Sequence, residues 1–178
     1  MTDRGTPGWK AEIGAEIASA RRVVVLGVGN TDRGDDGAGL LVAASLARRR
    51  KRLGERPPRP GKPEVEVVLG ERAPENATGR VRAFAPDLVI IVDAAADQNF
   101  PGTVRLVRTE EMAEEALATH RLPLSMLARY LEKTVPCRVV LIGLTPRDAA
   151  PQTKVSVPVR KSVRSLAKFL SEALFGRK

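Results

Sequence analysis

Aromatic residues, cysteine and histidine are scarce in this chain of 178 residues. Phe, Trp and Tyr together make up only 3% of it, whereas apolar residues as a group make up 43%. Val, Leu, Ile and Ala must therefore fill the core, which suits a parallel sheet buried on both faces. The one cysteine, Cys137, excludes an internal disulfide and a four-cysteine zinc site. Because His120 is the only histidine, a Cys/His zinc finger and an HExxH metalloprotease helix are excluded as well.

Long apolar runs are also absent from the sequence. None approaches the ~18 to 20 residues that span a bilayer, so we expect no membrane partner. In the first 20 residues, Lys10, Glu12 and Glu16 interrupt any apolar stretch of the kind that a signal peptide requires. The sequence therefore predicts a soluble cytoplasmic protein.

The positive charge is concentrated in one segment. Between residues 48 and 62 there are eight bases and one acid, which is a net +7 out of +9 for the whole chain. Three prolines and two glycines in the same segment indicate a helix end that runs into a solvated loop. Such a segment is either an exposed insertion or a patch for nucleic acid or an acidic partner. Because no aromatic residue is interleaved to stack bases, we expect no nucleic-acid partner.

Strand and helix patterns alternate along the chain. Strands are predicted at residues 23–28, 65–69, 87–93, 103–107 and 137–144, helices at 8–20, 36–50, 110–118, 124–133 and 158–175, and a helix or turn at 77–85. This alternation predicts an α/β fold, a three-layer sandwich with a mostly parallel central sheet and helices on both faces. We expect a single domain over residues 1–178, with an N-terminal extension at 1–20 and a basic, proline-rich loop insertion at 48–63.

A glycine-rich loop follows the first predicted strand and invites comparison with a dinucleotide-binding turn. That fingerprint requires glycine at positions one, three and six, and the sixth position counted from Gly27 is Asp32. Asp35 and Asp36 would also repel a pyrophosphate at the start of the next helix. Both the spacing and the charge disfavour a nucleotide.

Three residues are candidates for a site, because parallel sheets bind ligands at the carboxyl ends of their strands. Asp36 lies in the loop after the first strand, Asp93 ends the third, and His120 precedes a later helix. Each has an ordinary alternative: an aspartate can cap a helix, and a lone histidine is usually a surface residue. Together, carboxylate and imidazole groups from separate elements predict a site for a divalent transition metal.

Other nucleophiles are disfavoured by position. A serine or cysteine nucleophile would need His120 as its base. Ser125 falls on a predicted helix, and Cys137 opens a predicted buried strand, where it most simply packs. Water attack assisted by a metal or a carboxylate is the hydrolytic chemistry that remains.

Six short blocks of the sequence form a recognisable set. They are Gly29-Asn30, Gly34-Asp35-Asp36-Gly37-Ala38-Gly39, Ala73-Pro74-Glu75-Asn76, Leu88 to Ala94, Thr119-His120-Arg121-Leu122-Pro123-Leu124 and Gly143-Leu144-Thr145-Pro146. In these blocks the chain resembles the nickel-iron hydrogenase maturation endopeptidases, in particular the branch that processes hydrogenase 3-type large subunits. The resemblance spans roughly residues 22 to 170, and the blocks occur in the family's order.

The resemblance implies a specific activity. Family members remove a C-terminal peptide from the hydrogenase large-subunit precursor, the expected partner, once nickel has been inserted. The metal-contacting and catalytic positions of the family fall on Asp36, Asp93 and His120. The expected protease holds no permanent metal, because the nickel belongs to the substrate, although other divalent cations are able to occupy the site. Asp36 is the first candidate for proton transfer, and Asp35 is expected to be structural.

The sequence also departs from the family pattern. The basic segment and the N-terminal extension look longer than usual, and Thr31-Asp32-Arg33 puts charge where apolar residues are common. Two alternatives stay open at this point: a non-catalytic nickel-sensing chaperone for hydrogenase assembly, and, less favoured, a dinucleotide-binding enzyme.

Overall fold

The computed structural model describes residues 8–54, 56–95, 99–112, 122–147 and 154–177. The strands are β1 (Arg22–Val28), β2 (Glu64–Glu71), β3 (Leu88–Ala94), β4 (Val104–Arg108) and β5 (Arg138–Leu144). The helices are α1 (Trp9–Ala18), α2 (Ala38–Leu53), α3 (Thr78–Phe84), α4 (Leu122–Thr134) and α5 (Val157–Phe175). Residues 109–112 are helical too, and the rest of the helix predicted at 110–118 lies outside the described residues.

The strands form one sheet in the order β2-β1-β3-β5-β4, and only β4 runs antiparallel to its neighbour. The prediction of a mostly parallel sheet is therefore confirmed. The register brings the carboxyl ends of the central strands together. Gly27 of β1 lies opposite Val92 of β3, and Asp93 lies opposite Gly143 of β5.

Helices cover both faces of this sheet, which confirms the three-layer architecture. Side chains alternate along each strand, so β1 sends Val23 and Val25 to one face and Val24 and Leu26 to the other. The first face packs against α1, α2 and α5, and the second against α3 and α4. Because both faces are covered, the central strands are continuous apolar runs, as the sequence suggested.

The N-terminal helix α1 matches its prediction closely. Ile13 and Ile17 are buried, and the Trp9 ring meets Phe169 of α5 edge-on, with 5.4 Å between ring centroids. This extension therefore belongs to the packed core.

The basic segment is partly helical and partly anchored. Helix α2 continues to Leu53, beyond its predicted end at Arg50, because leucine and basic residues are good helix formers and the first breaker is Gly54. Lys62 donates to the carbonyl of Ala173 (2.9 Å), and Arg59 donates to that of Arg177. These cations satisfy free carbonyls at the C-terminal end of α5 and suit its dipole. Part of the segment thus has a structural role. Within the described ranges, no helix combines the length and apolar composition needed to cross a membrane.

Candidate active site

The glycine-rich loop, residues 29–39, connects β1 to α2 through short 3₁₀ turns. These turns, Thr31–Gly37, are broken by a kink at Arg33 and Gly34, where Gly34 has φ +56°. Helix α2 begins at Ala38, so the prediction that it starts near Asp36 was wrong. The positive φ of Gly34 interrupts the helical path, and Asp36 consequently lies in the tight turn before the helix.

Two glycines let this loop press against the strand ends. Gly29 has φ +129°, and a Cβ there would collide with the carbonyl oxygen of Asp36. A Cβ on Gly39 would collide with the carbonyl oxygens of Val92 and Val28. The backbone N–H of Asn30 donates to the Asp36 carbonyl (3.2 Å), which closes the loop. The turn that carries Asp36 is therefore held over the carboxyl ends of β1 and β3.

Asp35 is buried and fully engaged by hydrogen bonds. Its Oδ1 accepts from the backbone N–H of Ser156 (2.6 Å), and its Oδ2 accepts from the Ser156 hydroxyl (2.8 Å) and the backbone N–H of Arg147 (2.9 Å). Ser156 immediately precedes α5, and its hydroxyl bonds to Asp35 instead of capping that helix. Asp35 thus ties the loop to two distant segments, as expected of a structural residue.

Asp36, the next residue, is half-buried and differently placed. In the part of the chain that the structure describes, its carboxylate makes no hydrogen bond or ion pair, and only its backbone carbonyl is used. The loop therefore orients one acid inward and leaves the other available at the strand ends. A carboxylate without a protein partner, held in a rigid turn, is suited to bind a cation or accept a proton.

Asp93 occupies the end of β3, between β1 and β5, and is half-buried. Its position in the strand alternation places it on the same face as Val89 and Ile91, the face covered by α3 and α4. The structure therefore brings Asp36 and Asp93 to one edge of the sheet, as the sequence predicted.

His120 lies outside the described residues, so its position relative to the two aspartates stays a prediction. Among the described residues, no three potential ligands cluster closely enough to hold a metal ion. Glu132, near the end of α4, accepts from the N–H of Val139 at the start of β5 (3.1 Å), so the end of this helix lies beside the start of that strand.

The two other potential nucleophiles are unsuited to catalysis. Ser125 is buried on α4, as its predicted helical position implied. Cys137 precedes β5 and packs against the core, and burial together with the nearby charge of Glu132 raises the pKa of its thiol to about 11. Such a thiol is protonated at neutral pH and is a poor nucleophile.

Sequence reasoning did not identify a cleft of about 860 Å³ beside the glycine-rich loop. Residues 29–32 of the loop form one end of it, β2 and the segment 72–77 form one wall, and α2 forms the other. Glu71, at the end of β2, has φ +51°, and its carbonyl accepts from the N–H of Gly29 (2.9 Å). Ala73 and Asn76 of the Ala73-Pro74-Glu75-Asn76 block line this wall. This block is one of those that resemble the family, and that resemblance was the signal in the sequence that could have indicated the cleft.

Comparison with known proteins points to one family. The family described as hydrogenase maturation protease, HycI, matches residues 45–173. The hydrogenase 3 maturation protease of Escherichia coli K12 is 30% identical over 144 residues, which is 80% of this chain and 85% of that protein.

Solved structures agree with the sequence comparison. The NiFe hydrogenase maturation protease HycI from Thermococcus kodakarensis KOD1 has a TM-score of 0.78 and 31% identity, and the match covers 92% of this chain and 98% of that one. The endopeptidase HycI from Escherichia coli has a TM-score of 0.68 and 29% identity, over 83% of this chain and 87% of that one. This chain belongs to the HycI family of hydrogenase maturation proteases and is an endopeptidase.

Proposed function

We propose that this endopeptidase removes the C-terminal extension of a nickel-iron hydrogenase large-subunit precursor, and that the substrate's own nickel is the recognition element. The observation that carries the proposal is the carboxylate of Asp36, which has no partner among the described residues and is held at the edge of the sheet where Asp93 also lies. The proposal takes residues 1–178 as a single peptidase domain that acts in the cytoplasm.

Asp36, Asp93 and His120 are proposed to complete the coordination of a nickel ion that the precursor already holds. Two carboxylates and one imidazole suit a divalent transition metal. Because the protease supplies only part of a ligand set, it would bind strongly only where the precursor supplies the rest. His120 enters this set on the resemblance of the Thr119-His120-Arg121-Leu122-Pro123-Leu124 block to the family.

The chemistry proposed for the site is hydrolysis directed by the substrate's metal. Nickel bound between precursor and protease would orient the scissile bond and polarise its carbonyl or a water molecule. Asp36 is the candidate proton acceptor, because its carboxylate has no competing protein donor in the described part of the chain. Asp35 is excluded from this role by its three hydrogen bonds.

The test is an incubation of the purified protein with nickel-loaded and nickel-free precursor, followed by mass spectrometry of the large subunit. We expect a shortened subunit in the nickel-loaded sample alone. Equal cleavage of nickel-free precursor would refute recognition through nickel.

Site variants test the three residues separately. His120→Ala, Asp36→Asn and Asp93→Asn are each expected to slow processing by about a hundredfold or more, the order of a lost acid–base or ligand group. Glu110→Gln is the control, because Glu110 is an exposed acid outside both the glycine-rich loop and the cleft. Full activity of the His120→Ala variant, with circular dichroism unchanged, would contradict the site assignment.

A further inference from the structure

Strand β2 forms one edge of the sheet, and its outer backbone groups are partly open. The N–H of Glu64 donates to the carbonyl of Arg21 (2.7 Å), so even-numbered residues of β2 bond toward β1. Odd-numbered residues then direct their N–H and C=O groups away from the sheet. Arg50 confirms this orientation, because its Nε donates to the carbonyl of Val65 (3.4 Å). That contact covers the beginning of the outer edge.

The end of the same edge is uncovered. Leu69 is an odd-numbered residue with an exposed side chain, at 46%. Within the described residues, neither its N–H nor its C=O has a partner on the outer side. An exposed apolar residue on an open strand edge is a template for pairing with another extended chain.

The cleft beside the glycine-rich loop lies along this open edge. Leu40, Leu41 and Ala44 of α2 form an apolar wall on one side, and Ala73 and Ala77 contribute apolar surface on the other. The charged residues of the lining are of both signs: Arg80 is paired with Glu66, Arg72 is exposed, and Asp32 and Glu71 are exposed acids. The cleft therefore offers mainly backbone groups and apolar surface, which together suit an extended peptide with apolar side chains.

The open edge is also close to the loop that carries Asp36. Glu71 lies two residues after Leu69, which corresponds to roughly 7 Å along an extended strand. The Glu71 carbonyl is bonded to Gly29, and Gly29 packs against the backbone of Asp36. A peptide that pairs with Leu69 and continues along the cleft therefore reaches the glycine-rich loop within a few residues.

We propose that the precursor segment next to the scissile bond binds in this cleft as an added strand paired with the Leu69 end of β2. The inference rests on the proposed function, because it assigns a place to the peptide that the enzyme cuts. Main-chain hydrogen bonds hold the segment extended, as an endopeptidase requires, and the apolar wall receives alternate side chains.

Replacing Leu69 by proline tests the pairing. Leu69→Pro removes one outward N–H and leaves the hydrogen bonds to β1 intact, since an edge strand tolerates proline at such a position. With nickel-loaded precursor we expect KM to rise about two- to tenfold, the equivalent of one hydrogen bond, while kcat stays within about twofold. Leu69→Val is the matched control, because it changes the side chain and keeps the N–H, and its KM is expected to lie below that of Leu69→Pro. Equal KM values for the two variants would refute the added strand.

Hydrogen exchange supplies a second measurement on the wild-type chain, which matters if the proline variant folds poorly. Binding of nickel-loaded precursor is expected to slow hydrogen exchange of the Leu69 amide at least tenfold. Exchange of the amide of Gly79, an exposed residue of α3, is expected to stay unchanged. No added protection at Leu69 in a complex that forms would overturn the inference. Failure of the wild-type protein to shorten any precursor would instead count against the proposed function, and the exchange result would still decide whether the edge is paired.

Discussion

Asp35 and Asp36 are adjacent in sequence, yet replacing each by alanine should damage different properties of the protein. Asp35 is 4% exposed and accepts three hydrogen bonds from Ser156 and Arg147. Asp36 is half-buried, and in the described part of the chain its carboxylate accepts none. We expect Asp35→Ala to lower stability and Asp36→Ala to abolish processing with stability nearly unchanged.

The expected size of the stability loss follows from the bonds at Asp35. Each hydrogen bond to a charged group contributes about 1.5 to 3 kcal/mol, and a buried donor left without an acceptor costs about 1 to 3 kcal/mol. Arg147 is exposed, so water can replace the carboxylate at its N–H, but the donors of Ser156 are buried. A loss of about 3 to 5 kcal/mol in the free energy of unfolding is therefore expected. At about 2 to 4 °C per kcal/mol for a protein of this size, the midpoint of thermal unfolding should fall by about 6 to 20 °C.

Thermal unfolding followed by circular dichroism measures this difference. For Asp36→Ala we expect a shift below about 3 °C, because the Asp36 carboxylate has no partner among the described residues. Glu110→Ala, at an exposed acid outside the cleft and the glycine-rich loop, serves as the control and should change neither stability nor processing. A wild-type midpoint for Asp35→Ala, or equal losses for Asp35→Ala and Asp36→Ala, would refute the division of roles between the two aspartates.

Three further predictions concern other parts of the molecule. Gly39→Ala should lower the free energy of unfolding by about 3 kcal/mol or more in denaturant titration, because its Cβ would meet the Val92 and Val28 carbonyls. Gly79→Ala is the contrasting variant: Gly79 has open space around it on α3, so the change should stabilise the protein by about 0.5 to 1 kcal/mol. Cys137 has its pKa raised from 9.0 to about 11, so alkylation at pH 8 should be about a hundredfold slower than for an ordinary thiol. Its protonated form stabilises the folded state below about pH 9, and that contribution is lost as the pH rises toward 11. An ordinary alkylation rate in the native protein would contradict this. Reversing the charge of the exposed Arg48, Lys51 and Arg52 should weaken precursor binding and reduce the dependence of binding on salt. The control variant Arg164→Glu, at an exposed base on α5, should change neither quantity. If the charge reversal changed neither affinity nor salt dependence, docking of an acidic precursor surface on the basic segment would be excluded.

The sheet was predictable because its central strands are buried on both faces. Such strands read as uninterrupted apolar runs, and β1 and β3 were located to within one or two residues. The antiparallel direction of β4 could not be read from its five residues, because a strand's direction depends on the path of its connections. The predicted end of α2 was three residues too early, because a run of basic residues is typical of a solvated loop. Basic residues are also good helix formers, so the helix continues through them to Leu53.

The sequence predicted the parts of the candidate site that depend on where each residue falls within its own strand or loop, and it did not predict the contacts between distant residues. Asp93 follows from the rule that parallel sheets bind ligands at the carboxyl ends of their strands. The anchoring of Asp35 does not, since its partner Ser156 is 121 residues away. The cleft also depends on packing between β2 and α2, which sequence periodicity does not specify.

The kink at Gly34 explains how two neighbouring acids come to have different roles. A regular helix would place Asp35 and Asp36 about 100° apart on one continuous surface, where both would face similar surroundings. The positive φ of Gly34 instead turns Asp35 into the protein, where Ser156 and Arg147 bond it, and leaves Asp36 at the edge. The buried Asp35 anchors the turn and the Asp36 carbonyl accepts from Asn30, so half-buried Asp36 is held in position while its carboxylate accepts no hydrogen bond from the described residues. Under the proposed function this has a chemical consequence. Asp36, Asp93 and His120 supply only part of a nickel ligand set, so a protease built this way would bind nickel strongly only when a precursor already supplies the remaining ligands.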